Sequence, residues 1–139
     1  MKTIEEILTQ QGCKFIDGMW ECEGDITLSN LNLTKLPPFR KVGGSFYCSY
    51  NELTSLKGCP ETIGGDFCCS GNQLTSLKGC PETIKDYFNC SWNQLTSLEF
   101  CPKIIGGDFC CSFNQLTSLE GCPKTIEGSF YYYNNPINS

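Results

Sequence analysis

Cysteine is the residue type in this sequence best suited to chemistry, because a thiolate can bind a metal, act as a nucleophile or form a disulfide. The sequence contains twelve cysteines. Eight of them fall into two rows with a step of 21 residues, namely Cys48, Cys69, Cys90 and Cys111, and Cys59, Cys80, Cys101 and Cys122. This spacing predicts equivalent positions in a repeated structure, where cysteine serves as a small buried hydrophobic side chain.

A metal or disulfide site at these cysteines is not expected. The sequence has no histidine, so zinc would need an all-thiolate site, and neither Cys68-Cys69 nor Cys110-Cys111 has C-x-x-C spacing. Equivalent cysteines on neighbouring repeats would have parallel Cβ vectors, a poor geometry for a disulfide. We expect free thiols, no metal and no cofactor. Strand alternation directs Cys68 and Cys110 outward, where they are either reactive or in contact with a partner.

Catalytic residues are also not expected. Without histidine the chain lacks the usual general base and every Ser-His or Cys-His pair. Asp66 and Asp108 would lie two repeats apart, about 10 Å by strand spacing, near the upper limit for an inverting glycosidase pair. Nothing in the pattern implies a pocket around them. We therefore predict that the protein is not an enzyme.

The elements that position these residues follow the same 21-residue step. Phe67, Asn72, Leu74, Leu77 and Ile84 all recur at this interval along the chain. Units that repeat in this way bury their apolar sides against one another, so the sequence predicts a stacked solenoid.

The repeated unit Phe67-Cys68-Cys69-Ser70-Gly71-Asn72-Gln73-Leu74-Thr75-Ser76-Leu77 follows the pattern L-x-L-x-x-N-x-L-x-x-L. It resembles the leucine-rich repeat over roughly residues 24 to 137. The Leu-Thr-x-Leu phrasing with a downstream proline is most similar to the short bacterial-effector type and to small repeat proteins of bacteriophages. The resemblance implies a mainly β leucine-rich repeat solenoid, with about six short parallel strands in one curved sheet and little helix.

Two segments are predicted, an N-terminal cap at residues 1–23 and the solenoid at 24–139. Within the cap, Thr3-Ile4-Glu5-Glu6 is a capping-box pattern that starts a short helix, and Gly12 is a plausible end. The segment 13–22 then reads as a hairpin that turns at Asp17-Gly18. Such a cap would protect the first coil from water.

Each repeat should place a short strand at positions equivalent to 66–70. Alternation points Phe67 and Cys69 inward, and Asp66, Cys68 and Ser70 outward. The glycine pair before the strand, as at 64–65, predicts a tight turn and close approach of neighbouring coils. The recurring asparagine predicts a ladder in which side-chain amides bond the turning backbone.

The outward strand positions vary between repeats and form the candidate binding surface. Rigid aromatic rings among small polar residues and acids are typical of protein-binding surfaces. The alternative is that the rings stack between repeats and stabilise the solenoid. Aromatic residues would anchor the partner, while Asp66 and Asp108 would select a basic one. The predicted contact residues are Tyr47, Tyr50, Asp66, Tyr87, Asn89, Trp92, Asp108, Phe113, Tyr131 and Tyr133.

The last repeat predicts a second contact surface. Two residues follow Ile137, so we expect nothing to cover the final strand, and Tyr132 stands where earlier repeats have cysteine. Unpaired backbone groups together with Phe130, Tyr132 and Ile137 would then join two copies in a two-fold homodimer.

The charge balance excludes other classes of partner. The 139 residues carry a net charge of −5, so no positive field attracts nucleic acid or a membrane surface. The acidic start lacks a signal-peptide pattern, which favours the cytoplasm. We predict a non-enzymatic protein-interaction module with its partner on the concave strand face. The resemblance points to a bacteriophage protein that inhibits a bacterial host or defence factor, and the alternative is a structural protein that self-associates end to end.

Overall fold

A computed structural model describes residues 1–137. It is a mainly β, parallel solenoid of about five turns, as the 21-residue repeat predicts. One turn of the solenoid is called a rung below. Each complete rung contributes two short strands, which stack in parallel on the strands of the neighbouring rungs.

Six strands form the first sheet, here called the front sheet. They are β3 (Ile26–Thr27), β5 (Phe46–Tyr47), β7 (Phe67–Cys68), β9 (Phe88–Asn89), β11 (Phe109–Cys110) and β13 (Phe130–Tyr131). Their register follows the repeat, with Phe46 opposite Phe67 and Phe67 opposite Phe88. The strands are therefore aligned as the repeat predicts.

Seven strands form a second sheet, here called the back sheet. They are β1 (Lys14–Ile16), β2 (Met19–Cys22), β4 (Phe39–Val42), β6 (Thr62–Ile63), β8 (Thr83–Ile84), β10 (Ile104–Ile105) and β12 (Thr125–Ile126). The predicted sheet of six short parallel strands corresponds to the front sheet, whereas the back sheet was not predicted. The β-branched pairs that follow each Cys-Pro favour extended chain, and stacking at a constant rung spacing lets them pair.

The N-terminal segment forms a helix and a hairpin where the sequence predicts them. Helix α1 spans Ile4–Gln10, and the Thr3 side chain accepts a hydrogen bond from the Glu6 backbone N–H at 3.1 Å. Strands β1 and β2 pair antiparallel around Asp17 and Gly18, which both have positive φ. Strand β2 then pairs with β4, so the hairpin continues the back sheet. Its capping role stays a prediction.

A disulfide joins Cys13 and Cys22 across this hairpin. The expectation that all thiols are free was therefore wrong for this pair, because the two residues face each other across the open end of an antiparallel hairpin instead of lying on neighbouring parallel rungs. The other ten cysteines are free. No helix in residues 1–137 is both long and apolar enough to cross a membrane.

The core lies between the two sheets and is built from columns of identical residues. Phe46, Phe67, Phe88 and Phe109 are fully buried, and neighbouring rings in this column stack with centroids 5.3 to 5.8 Å apart. Glycine pairs sit where rungs touch: a Cβ on Gly64 would lie 2.0 Å from the Gly43 carbonyl oxygen. Close approach therefore explains this glycine.

The asparagine ladder is confirmed. Asn72 is buried, its Nδ2 donates to the carbonyls of Cys48 and Cys69, and its Oδ1 accepts from the Leu53 backbone N–H. Equivalent bonds recur at Asn93 and Asn114. One side chain thus satisfies backbone groups of two successive rungs that strand pairing leaves over.

The serine row that follows each front strand does not point outward as predicted. Ser49, Ser70, Ser91 and Ser112 are buried, and the hydroxyl of Ser70 donates to that of Ser49 at 3.1 Å. The regular strand is only two residues long, Phe67–Cys68, so the alternation assumed over 66–70 ends before Ser70. The backbone then turns at Gly71, whose φ is 68°.

Candidate binding surface

The residues that follow the serine row share an unusual backbone conformation. Their φ angles all lie between 56° and 68°, in the left-handed region, and they are Asn30, Tyr50, Gly71, Trp92, Phe113 and Asn134. Glycine and asparagine enter this region readily, whereas other residues lose about 1 kcal/mol or more. Tyr50, Trp92 and Phe113 therefore occupy positions where Asn or Gly would be the relaxed choice.

These three aromatic side chains lie beyond the C-terminal ends of front strands, where they form a ridge that is here called the aromatic ridge. The Tyr50 ring covers the next rung, since a Cβ on Gly71 would lie 2.5 Å from Tyr50 Cδ1. Trp92 stacks on Phe113 with ring centroids 4.0 Å apart and planes 7° from parallel. Exposed fractions of 60% for Tyr50, 57% for Trp92 and 37% for Phe113 leave much of each ring open to a partner.

Asp66 and Asp108, which immediately precede the front strands β7 and β11, have a structural role that was not predicted from the sequence. Asp66 Oδ1 accepts from the Tyr87 backbone N–H at 3.0 Å, and Asp108 Oδ1 accepts from the Ser129 N–H at 2.8 Å. Asp66 Oδ2 also accepts from the Tyr47 hydroxyl at 3.4 Å. A backbone N–H of the following rung thus holds each carboxylate in place, and the negative charge stays at the N-terminal ends of the front strands.

Tyr87 lies half-buried between the two acidic rungs. Burial, reinforced by the neighbouring Cys110, Cys68 and Asp108, raises the pKa of its hydroxyl to about 12. The hydroxyl is therefore a neutral hydrogen-bonding group at neutral pH. Asn89 lies in the next column, where its Oδ1 accepts from the Ser91 hydroxyl at 2.6 Å. This bond fixes the amide and leaves less of it for a partner than predicted.

Cys68 is the central outward residue of its rung and is only partly exposed. Burial, and then the Asp66 carboxylate, raises the pKa of its thiol to about 11. A thiol with a raised pKa is a poor nucleophile at neutral pH. This environment does not favour a reactive thiol at Cys68, and contact of Cys68 with a partner stays a prediction.

The last front rung carries Tyr131 and Tyr133, whose tilted rings lie 6.0 Å apart. Tyr133 is exposed, and its backbone N–H donates to the Ser112 hydroxyl. Phe130 stacks on Phe109 at 5.2 Å and meets the Tyr132 ring edge-on at 5.0 Å. A shallow cavity of about 360 Å³ lies here, lined by Phe130, Tyr132, Tyr133, Asn135 and Ile137.

Within residues 1–137, β12 and β13 each pair on one side only. Tyr132 is exposed where its equivalent Cys111 is fully buried, and Ile137 is half-buried. The residues predicted for self-association therefore lie together on the last described rung. Whether they contact a second copy stays a prediction.

Two exposed apolar residues on a single rung were not predicted. Phe100 is 53% exposed with φ at 68°, where equivalent rungs have Gly58, Gly79 and Gly121. Ile104 is 44% exposed, where equivalent rungs have Thr62, Thr83 and Thr125. The sequence carries a signal for both residues, since each departs from its column in the repeat.

Most of the predicted contact residues thus lie in two groups, one at the N-terminal ends and one at the C-terminal ends of the front strands. The aromatic ridge lies at the C-terminal ends of the strands, whereas Asp66, Tyr87 and Asp108 lie at the N-terminal ends. Tyr47 and Asn89 lie between the two groups, within the strands. In the described part of the chain, no three His, Cys, Asp or Glu side chains come together in a way that could hold a metal ion. Comparisons with protein-family models, characterised proteins and solved structures give no match to this chain.

Proposed function

We propose that this protein is a non-enzymatic protein-binding module that holds its partner on the front sheet, with the aromatic ridge at the centre of the contact. The observation that carries this proposal is the presence of Tyr50, Trp92 and Phe113 at left-handed positions. Conformational preference alone would select Asn or Gly there, as at Asn30 and Gly71. Large exposed rings at positions that the backbone conformation disfavours for them are well suited to binding a partner.

A basic partner is the chemistry that this surface favours. The front segments 25–30, 45–50, 66–71, 87–92, 108–113 and 129–134 contain Asp25, Asp66 and Asp108 but no lysine or arginine. All ten basic residues of the chain lie outside these segments. Complementary positive charge on a partner would speed and orient association, and the net charge of −5 adds to the same attraction.

We further propose that the chain is a leucine-rich repeat protein of the short bacterial-effector or bacteriophage type. The support is the recurring Leu-Thr-Ser-Leu and Cys-Pro phrasing and the buried asparagine ladder. In this proposal it acts in the cytoplasm of a bacterial host, where it sequesters or inhibits a host or defence factor. Fold alone does not give function, so the partner must be found directly.

The test is affinity capture with Trp92→Asn/Phe113→Asn beside the unaltered protein. Asparagine keeps the left-handed backbone, so the variant removes rings and leaves the fold intact. Phe15→Thr, which removes an exposed aromatic residue from the hairpin, is the matched control. We expect one stoichiometric partner that the control retains and the ridge variant loses. Equal capture by all three proteins contradicts binding through the ridge.

End-to-end self-association is the second candidate function. It is favoured by the exposure of Tyr132 beside Phe130 and Ile137 on the last described rung. Tyr132→Ser/Ile137→Ser would then abolish activity while an intact ridge still presents its rings. Loss of activity in the ridge variant alone argues against this candidate.

A further inference from the structure

Two columns of charged residues flank the turn that precedes each of four back-sheet strands. The first, here called the turn column, runs Lys57, Lys78, Glu99, Glu120. The second, here called the pre-strand column, lies four residues later in each rung and runs Glu61, Glu82, Lys103, Lys124. All eight side chains are exposed. The signs are therefore opposite between the columns on every rung, and each column changes sign at its midpoint.

Pairing within a rung would be the simplest reason for these opposite signs. No such pair comes within 4.0 Å in the described residues: the one ion pair found among the eight side chains joins Lys103 to Glu82 of the neighbouring rung, at 3.6 Å. Both side chains of that pair stay largely exposed, at 64% and 81%. Apart from that pair, the eight charges make no ion pair within the described residues, and all of them are exposed to a second surface.

This arrangement is self-complementary under a two-fold rotation. If two solenoids lie parallel, related by an axis along their length, the turn column of one copy faces the pre-strand column of the other, rung for rung. Lys57 then meets Glu61 of the second copy, and Glu99 meets Lys103 of the second copy. Every contact on all four rungs joins opposite charges, which is the condition for an isologous interface.

The two apolar exceptions lie on the third of these rungs. Phe100 and Ile104 replace the Gly and Thr of equivalent rungs, and both are exposed. In the rung-matched arrangement, the rungs that carry Phe100 and Ile104 lie at the same level in the two copies, so both apolar pairs meet near the axis. If the two solenoids lay antiparallel instead, this rung would face the second rung of the other copy. That rung has Gly79 and Thr83 at the equivalent positions and so offers no large apolar side chain to contact. The apolar pair therefore selects the matched arrangement.

We propose that this surface, built from the turn column, the pre-strand column, Phe100 and Ile104, is a homodimer interface between parallel solenoids. The occupant is a second copy of this chain, because the charge pattern complements itself. The interface residues are distinct from those of the front sheet and from Phe130, Tyr132 and Ile137. The front sheet of each copy stays free, so the dimer would present two binding surfaces.

The first test is sedimentation equilibrium from about 10 μM to 1 mM. We expect the unaltered protein to dimerise in this range. Phe100→Gly/Ile104→Thr restores the residues of equivalent rungs, so it should fold normally and weaken the dimer at least about tenfold. The control is Phe15→Thr, which removes an exposed aromatic side chain from the hairpin and should leave the dimer unchanged. A monomer at all concentrations, an unaffected first variant, or loss of the dimer only in the control would each overturn the proposal.

The second test uses charge exchange between two variants. Lys57→Glu/Lys78→Glu and Glu61→Lys/Glu82→Lys each create like-charge contacts on two of the four rungs, so each alone should dimerise more weakly. Mixed together, they regain opposite charges on every rung in the matched arrangement only. Native mass spectrometry should then detect a heterodimer in preference to either homodimer. A statistical mixture of species contradicts the rung-matched interface.

Discussion

The rings of Trp92 and Phe113 stack at 4.0 Å, although both residues hold their backbone in the left-handed region. A stacked aromatic pair contributes about 0.5–1.5 kcal/mol, while the backbone conformation costs a similar amount at each residue. Over the two residues the backbone cost, about 2–4 kcal/mol, is larger than the stacking contribution, so the stack alone does not offset it. Stacking alone therefore does not account for aromatic residues at these two positions.

We predict that Trp92→Asn/Phe113→Asn changes the free energy of unfolding by less than about 1 kcal/mol, because a relaxed backbone offsets the lost stack. Urea denaturation of the variant and the unaltered protein measures this difference. A loss of more than about 2 kcal/mol would assign the rings to the stability of the solenoid instead.

The asparagine ladder should be the least tolerant polar feature of the fold. Asn93→Ala removes the acceptor for the Leu74 backbone N–H and the donor for the Cys69 and Cys90 carbonyls, all within the buried core. Each buried polar group left unpaired costs about 1–3 kcal/mol, so we expect a loss of at least about 3 kcal/mol by urea denaturation.

The matched control for the ladder is Gln94→Ala, which alters the exposed side chain of the next residue. It should stay within about 0.5 kcal/mol of the unaltered protein, as surface substitutions usually do. Similar losses in the two variants would mean that the ladder bonds contribute little beyond local helix or strand preference.

Sequence reasoning predicted the features that repeat and missed those that depend on exact backbone geometry. The 21-residue step gave the solenoid and the Asn72 ladder, because identical residues must occupy identical environments. It did not reveal that the strand ends at Cys68, so Ser70 was assigned to the wrong side. The second sheet at Thr62–Ile63 was missed because the sequence after each Cys-Pro indicates turns or extended chain but not whether neighbouring rungs pair there.

The candidate site shows the same division. The exposure of Tyr50 and Trp92 followed from their place in the repeat, but their left-handed backbone did not, since nothing in an aromatic residue predicts it. The bond from the Tyr87 N–H to Asp66 joins residues 21 positions apart and required the rung geometry. The sequence of one repeat does not show which of its residues contact the neighbouring rungs.

The Cys13–Cys22 disulfide should stabilise the N-terminal hairpin chiefly by restricting the unfolded chain. It closes a short loop, with a sequence separation of 9. A loop of this length corresponds to about 2–3 kcal/mol in the chain-entropy treatment. We predict that Cys13→Ser/Cys22→Ser, or reduction of the protein, lowers the free energy of unfolding by this amount in a denaturant titration.

The control for the disulfide is Cys122→Ser, which removes an exposed free thiol and should not change stability. Added reductant should lower the stability of this control and leave the Cys13→Ser/Cys22→Ser protein unaffected. A reductant effect that persists in the double variant would show that thiols of the solenoid, rather than the hairpin, respond to reduction.

The free thiols should make the solenoid sensitive to alkaline pH. Burial raises the pKa of Cys68 to about 11 and that of Cys111 to about 12, and it raises the pKa of Cys69 and Cys90 well above the ordinary 9.0. Above pH 9 the unfolded chain loses thiol protons that the folded chain retains. The stabilising contribution is thus complete below about pH 9 and is lost as pH rises through the folded pKa values.

We therefore predict that the free energy of unfolding falls steadily from pH 9 towards pH 11 in chemical denaturation, with the disulfide intact. Cys69→Ala/Cys90→Ala should show a shallower fall than the unaltered protein, because two of the titrating thiols are gone. Alkylation at pH 8 should modify exposed Cys122 while Cys69 and Cys90 react only on unfolding. A pH slope that the double variant leaves unchanged would assign the alkaline loss to other groups.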